Sequence, residues 1–317
     1  MRNCLIITIA TLLSIGLGQD VKVASGKLSF DGCVWGKYYY LSNRDSNQVE
    51  TNTNSFARLC GFLGITGTIS DYAKVRFYHD LADFTGAPTY DIFMILSHKG
   101  YELRVGQFKP PTGIENLTPP PKLDFIDYTT LSKHRTAIGP TRDIGLQIAT
   151  KQKFGEWAFA IINGNGRNQF KDNNKWKDIV SRLVFTPDSK LGITLGGNIY
   201  WGKAGPDSAL FTVQRFGAEL ALILTQLFFK SEIAMIKDSN VTNQGLYLAT
   251  GYRYENLQPV VRLEFYGKSE FLLAITGGIN WFIKGDNIKP MLNYTYTDDK
   301  ISKAKSHKIS AQLQFSF

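Results

Sequence analysis

The feature that most limits what this chain can become is a two-residue beat. In the last ten residues Ile309, Ala311, Leu313, Phe315 and Phe317 alternate with Lys308, Ser310, Gln312, Gln314 and Ser316. Side chains of an extended strand point by turns to opposite faces, so this segment is a strand with one apolar and one polar face. The beat returns in Ile193, Leu195, Gly197, Ile199 and Trp201 against Thr194, Gly196, Asn198 and Tyr200, and in Val261, Leu263 and Phe265 against Arg262, Glu264 and Tyr266. Ala73, Val75 and Phe77 likewise oppose Lys74, Arg76 and Tyr78, while Tyr101, Leu103 and Val105 oppose Glu102, Arg104 and Gly106. A helical spacing of i, i+3, i+4 fits none of these windows, and polar residues gather on one face as in a wall between lipid and water.

Strands are expected near 28–40, 55–66, 72–80, 90–98, 101–107, 143–150, 157–163, 178–186, 191–201, 210–224, 227–237, 246–254, 257–266, 272–283, 288–297 and 308–317. About sixteen strands, an even number, suit a closed bacterial barrel wide enough for a water-filled channel. Tight links at Lys99-Gly100, Pro187-Asp188-Ser189, Thr225-Gln226 and Glu255-Asn256 interleave with longer ones around 41–54, 108–142, 164–177, 202–209 and 298–307. Short periplasmic turns and long outer loops explain that order, which a soluble sandwich has no reason to keep. Tyr38, Tyr39, Tyr40, Tyr252, Tyr254, Trp281, Phe282, Tyr294, Tyr296 and Phe317 fall near strand ends, as interfacial girdles would. The fold expected is therefore an all-β, transmembrane antiparallel β-barrel in the outer membrane, surrounded by its lipids.

The N-terminus fits that address. Arg2 precedes an apolar run from Leu5 to Leu17 that closes on Gly16-Leu17-Gly18, the pattern of a secretory signal cleaved before Gln19. Residues 1–18 are thus expected to be a signal peptide and 19–317 one barrel domain, since no Pro/Gly/Ser-rich linker or charge block divides the rest. Charge excludes one class of partner: the 36 Lys and Arg outnumber the 27 Asp and Glu, yet they are dispersed. Nucleic-acid binders cluster such residues beside aromatics, so no nucleic-acid partner is expected. Of the four histidines none lies in a nucleophile motif such as Gly-x-Ser-x-Gly, and neither catalysis, a metal site nor a cofactor is implied.

Alternation also proposes who meets the solute. Lys37, Arg58, Lys74, Arg76, Arg104, Arg182, Arg215, Lys230, Arg253 and Arg262 fall on the polar faces of their strands, where fixed positive charge favours anions. The same faces carry Asp31, Glu102, Glu219, Glu232 and Glu264, so the alternative is that these bases are paired to wall carboxylates. The connection 108–142, the third outer loop, is too long for a turn and rich in apolar and Pro residues. It is expected to fold into the lumen, the alternative being a cap over the mouth. Turned inward, its Lys109, Lys122, Lys133, His134 and Arg135 reach a constriction; Lys133-His134-Arg135 is the sharpest cluster, or else a solvated turn. His134 would add a pH dependence near neutrality. Cys33 and Cys60 fall on the inner face of adjacent strands, either bonded, as an oxidising periplasm permits, or as two free thiols. Cys4 leaves with the signal.

Around this loop the sequence reads Gly106-Gln107-Phe108-Lys109-Pro110-Pro111-Thr112-Gly113-Ile114-Glu115-Asn116-Leu117, then Asp124-Phe125-Ile126, Arg142-Asp143-Ile144-Gly145-Leu146-Gln147 and Asn163-Gly164-Asn165-Gly166. In order and spacing these pieces resemble the phosphate-selective porin O and P family, most firmly between about 101 and 170. The resemblance implies a sixteen-stranded, often trimeric outer-membrane channel that passes phosphate-like or other small anions. The function expected is passive diffusion of small hydrophilic, preferentially anionic solutes; the alternative is a closed barrel serving as scaffold or receptor.

Overall fold

The computed structural model describes residues 21–23, 26–83, 86, 88–135 and 142–317; the expected signal peptide lies outside them. Sixteen strands form the wall: β1 Gly26–Arg44, β2 Glu50–Ser70, β3 Ala73–Asp80, β4 Thr89–His98, β5 Tyr101–Phe108, β6 Asp143–Gln152, β7 Gly155–Ile162 and β8 Asp178–Phe185. They continue as β9 Ile193–Ala204, β10 Phe211–Ile223, β11 Leu227–Asp238, β12 Val241–Tyr252, β13 Leu257–Gly267, β14 Phe271–Trp281, β15 Ile288–Asp299 and β16 Ala304–Ser316. Each pairs antiparallel with the next, and β16 returns to β1 through Lys305↔Arg44 to Ser316↔Cys33, so the sheet closes and no edge is left. A short strand, Val21–Val23, adds to the start of β1, and Ile283–Asp286 precedes β15.

Every segment read from the alternation falls on one of these strands, because the beat is itself the geometry of a two-faced wall. In β16 Ile309, Leu313 and Phe315 are exposed on the lipid side, while Ser310, Gln312 and Gln314 are buried within. In β9 Leu195, Ile199 and Trp201 face outward and Asn198 and Tyr200 inward. Tyr38, Tyr40, Tyr252, Tyr254, Trp281, Tyr294 and Phe317 stand exposed as a girdle would, but Phe282 does not. It is buried under Arg253, whose guanidinium lies 4.1 Å from the ring centre, because the step after Trp281 turns it inward. Tyr39, between two girdle tyrosines, also faces inward and carries the Lys308 ammonium over its ring.

The connections depart from the expected long-short order. Lys99-Gly100 is a two-residue turn with both central φ angles positive, 47° and 82°, a conformation that matches the strand twist and that glycine adopts without strain. Over 41–54 and 298–307, however, the strands run on: Arg44 still pairs with Glu50 and Asp299 with Ala304, leaving only 45–49 and 300–303 as turns. Outer connections at 239–240 and 268–270 are as short as the turns opposite. β1 and β2 have 19 and 21 residues against 8 in β3 and β5, more than the 9–11 or so that cross the hydrocarbon core, so they run past the core as a ladder where a loop was expected.

Candidate functional site

The connection after β5 is built to be held. It contains two short helices, α1 Ile114–Leu117 and α2 Thr130–Arg135, and proline-rich backbone between them that offers few N–H groups of its own. Several of its polar atoms are met by inner-face side chains of β11 to β16 and β1. The backbone N–H groups of Glu115, Ile126 and Thr130 donate to Glu232 (2.9 Å), Asn293 (2.9 Å) and Glu264 (2.8 Å). The carbonyls of Pro121 and Leu123 accept from the Lys289 ammonium at 2.7 and 3.0 Å, and Pro121 also from Gln314. Ion pairs join the same surfaces. Asp124 holds Lys230 at 2.5 Å, Glu115 holds Arg262 at 3.2 Å, and Asp127 bridges Lys37 and Lys308. Although burial opposes its ionisation, those two lysines keep the Asp127 carboxyl well below the usual range.

Beneath these polar contacts lies an apolar seat. Phe125 and Leu131 are buried against Phe228, Ala234, Ile236, Tyr247, Ala249, Val260 and Tyr266 of β11 to β13. Gly245 makes the notch: a Cβ there would stand 2.6 Å from the Leu131 side chain. A pore wall is expected to be polar inside, so an apolar inner patch is the mark of something docked. The signal was in the sequence, where Ile233-Ala234-Met235-Ile236 breaks the alternation with apolar residues on both faces.

The opposite wall is bare. Between Lys109, Pro111 and Leu117 of the loop and β4 to β8 opens a cavity of about 790 Å³, and a second of about 510 Å³ lies between the loop prolines and β1 and β3. Lys109, Asp91 and Leu117 line both. The Lys109 ammonium donates to the carbonyls of Asn116 and Thr118 at 2.5 and 3.3 Å. Burial, helped by the nearby Arg142 cation and opposed by Asp91, brings its pKa down to about 7. Arg142 donates to Asp91 at 2.9 Å and lies over the Tyr90 ring, which Arg167 also covers at 4.1 Å.

Six of the proposed bases separate into these two settings. Lys37, Lys230 and Arg262 hold the loop; Arg262 also meets Glu264 at 2.8 Å and the Phe125 ring. Arg76, Arg104 and Arg182 face the cavities, paired with Asp31, with Glu102 at 3.3 Å and with Glu219 at 2.7 Å. Arg215 is buried against Asp238 and the carbonyls of Gln214 and Lys237, away from both groups. Arg253 lies at a short turn, Lys74 and Lys133 are exposed, and the side chains of Arg58, His134 and Arg135 lie outside the described part. Cys33 and Cys60 are not bonded to each other, since the register sets Cys33 opposite Phe62 and Cys60 opposite Trp35. Reading by strand face passed over Lys289 and Lys308, both on polar faces, and Arg142, whose partner Asp91 is far away in sequence.

A family model described as phosphate-selective porin O and P matches residues 30–258. Among solved structures, OmpT, an outer membrane protein of Vibrio cholerae, superposes with a TM-score of 0.68 at 10% identity over 94% of this chain and 100% of that one. The anion-selective porin from Comamonas acidovorans gives 0.67 at 11% identity over 92% and 99%. OmpF of Salmonella typhi, in complex with daunomycin, gives 0.62 at 11% over 94% and 100%. At such identities the likeness is one of fold. No curated protein sequence matches the chain.

Proposed function

The chain belongs to the phosphate-selective porin O and P family and is a porin of the outer membrane, and from this premise we propose that small hydrophilic solutes diffuse through it with a preference for anions, phosphate-like ones among them. The observation that carries the preference is the meeting of the two cavities at Lys109, with Arg76, Lys122 and Arg142 lining one and Arg104 and Arg182 the other. Segment 109–135 is read as the constricting element inside the lumen; its hydrogen bonds to inner-face side chains support that reading. Each cavity-lining arginine has a carboxylate beside it, which keeps every station weak. Several weak sites let an anion move on where one strong site would trap it.

Planar-bilayer recording in a salt gradient tests this directly. Stepwise current with an anion-selective reversal potential is the expected result; cation selectivity overturns the preference, and silence favours a closed scaffold. Replacing Lys133, His134 and Arg135 together by neutral residues should weaken anion selectivity, and an unchanged reversal potential removes the trio from the mechanism. A homotrimer is also proposed. One structure of the Vibrio cholerae protein is a trimer form, and light scattering on the purified protein decides the matter here.

A further inference from the structure

We propose that the outer rim of β15, β16 and β1 binds the phosphate group of an outer-leaflet lipid on the lipid-facing side of the barrel. The end of the barrel that carries the long loop is the outer one, by the rule that periplasmic turns are short. There Asp298, Lys305, Arg44 and Glu50 lie in one cross-strand row, Asp298 opposite Lys305, Lys305 opposite Arg44, and Arg44 opposite Glu50. Lys305, Arg44 and Asp298 each stand four residues from an exposed wall residue, Ile309, Tyr40 and Tyr294, so they share its outward face. The registers of β15 with β16 and of β16 with β1 run unbroken through these rows.

Like charges directly opposite on a sheet repel, and Lys305 against Arg44 is such a pair. Lys300 and Lys303 from the adjoining turn bring more positive charge to the same hollow of about 320 Å³. The carboxylates nearby are already engaged, and Glu50 forms a long, exposed ion pair with Arg44. Asp298 holds Lys300 at 2.9 Å, Asp45 accepts the backbone N–H groups of Asn47 and Val49, and Glu50 is 3.9 Å from Arg44. Among the described residues Lys303 and Lys305 make no ion pair. An anion in the hollow would relieve the repulsion between Lys305 and Arg44.

Depth identifies the source of that anion. Two residues further into the membrane come His307 and Tyr296, whose rings are 5.1 Å apart, and two further Tyr40 and Tyr294, the latter bonded to His307 at 2.7 Å. Such rings mark the headgroup boundary. At about 3.3 Å per residue along a tilted strand, four residues lift the basic row roughly 10 Å above Tyr40, out of the hydrocarbon and to the polar side of the headgroup boundary. A soluble anion would have no need of cations turned toward lipid.

The test uses the purified full mature chain in detergent, given diphosphoryl lipid A or the same lipid stripped of its phosphates, with retained lipid counted by native mass spectrometry. The wild type should hold the phosphorylated form about tenfold better, and Lys303→Gln with Lys305→Gln should remove that difference. Arg44→Gln should reduce it. Unchanged strand content by circular dichroism and unchanged bilayer conductance show that each variant is folded. Equal retention of the two lipids, or a double variant as retentive as wild type, overturns the site. Displacement by inorganic phosphate at the lipid's own concentration overturns the lipid source.

Discussion

The two sides of the barrel interior are stocked with similar residues and use them differently. On the loop-bearing side, β11 to β16 and β1, Lys37, Lys230, Arg262, Lys289 and Lys308 all reach atoms of segment 109–135. On the bare side Arg76, Arg104 and Arg182 meet groups of the wall itself, the carboxylates of Asp31, Glu102 and Glu219 among them, and leave cavities in front of them. A base on a polar strand face is therefore not by itself a pore residue: what stands opposite decides whether it holds the segment or faces a cavity.

The largest contrast should appear in stability. Arg262 is almost fully buried between Glu115, Glu264 and Phe125, so Arg262→Ala strands two buried carboxylates and should cost about 3–5 kcal/mol. Arg104 pairs with a half-exposed Glu102, and Arg104→Ala should cost at most about 1 kcal/mol. Guanidinium unfolding in lipid or micelles measures both, and equal losses would erase the distinction between the walls. Next comes Gly245→Leu, which fills the notch under Leu131. Overpacking of this kind costs about 1–3 kcal/mol. It should also loosen the loop, so single-channel conductance should rise; an unchanged conductance would separate the loop from the flow.

The wall was legible in the sequence and the partners that hold the loop were not, for one physical reason. Alternation is local, so Lys308 to Phe317 announces its two faces without reference to anything else. The contacts of Asp127 are not local: Lys37 and Lys308 are 90 and 181 residues away, and only closure of the ring brings them together. The ladder up to Arg44 misled for a related reason. The continued pairing of β1 with β2 depends on the neighbouring strand, not on the residues' own pattern, whereas Phe282 turns inward by the same alternation that turns Trp281 out.

A smaller effect should follow from proton uptake on the bare side. With its pKa near 7, Lys109 is a cation below that pH and neutral above it, facing Asp91 and Arg142 and bonded to the carbonyls of Asn116 and Thr118. Anion selectivity should therefore decline as pH rises from 6 to about 8.5, and Lys109→Met should abolish the slope. Stability runs the other way. Between pH 7 and 10.5 the unfolded chain holds a proton that the folded one lacks, so folding strengthens with pH across that window. On the loop-bearing side Asp127 titrates below the usual carboxylate range, and loop contacts should persist unchanged down to about pH 4. A reversal potential indifferent to pH between 6 and 8.5 would remove Lys109 from the ion path.

The least effect belongs to Lys74, on the polar face of β3 beside the turn at 71–72, exposed and without an ion pair among the described residues. It has neither feature found at the other bases, a buried partner or a place on a cavity wall. Its field reaches only as far as the salt allows, about 10 Å at 0.1 M and 3 Å at 1 M. Lys74→Gln should thus shift the reversal potential slightly in dilute salt and not at all in concentrated salt. A shift that survives 1 M would place Lys74 in contact with the permeating ion and move the narrow part of the bare wall toward the short-turn end.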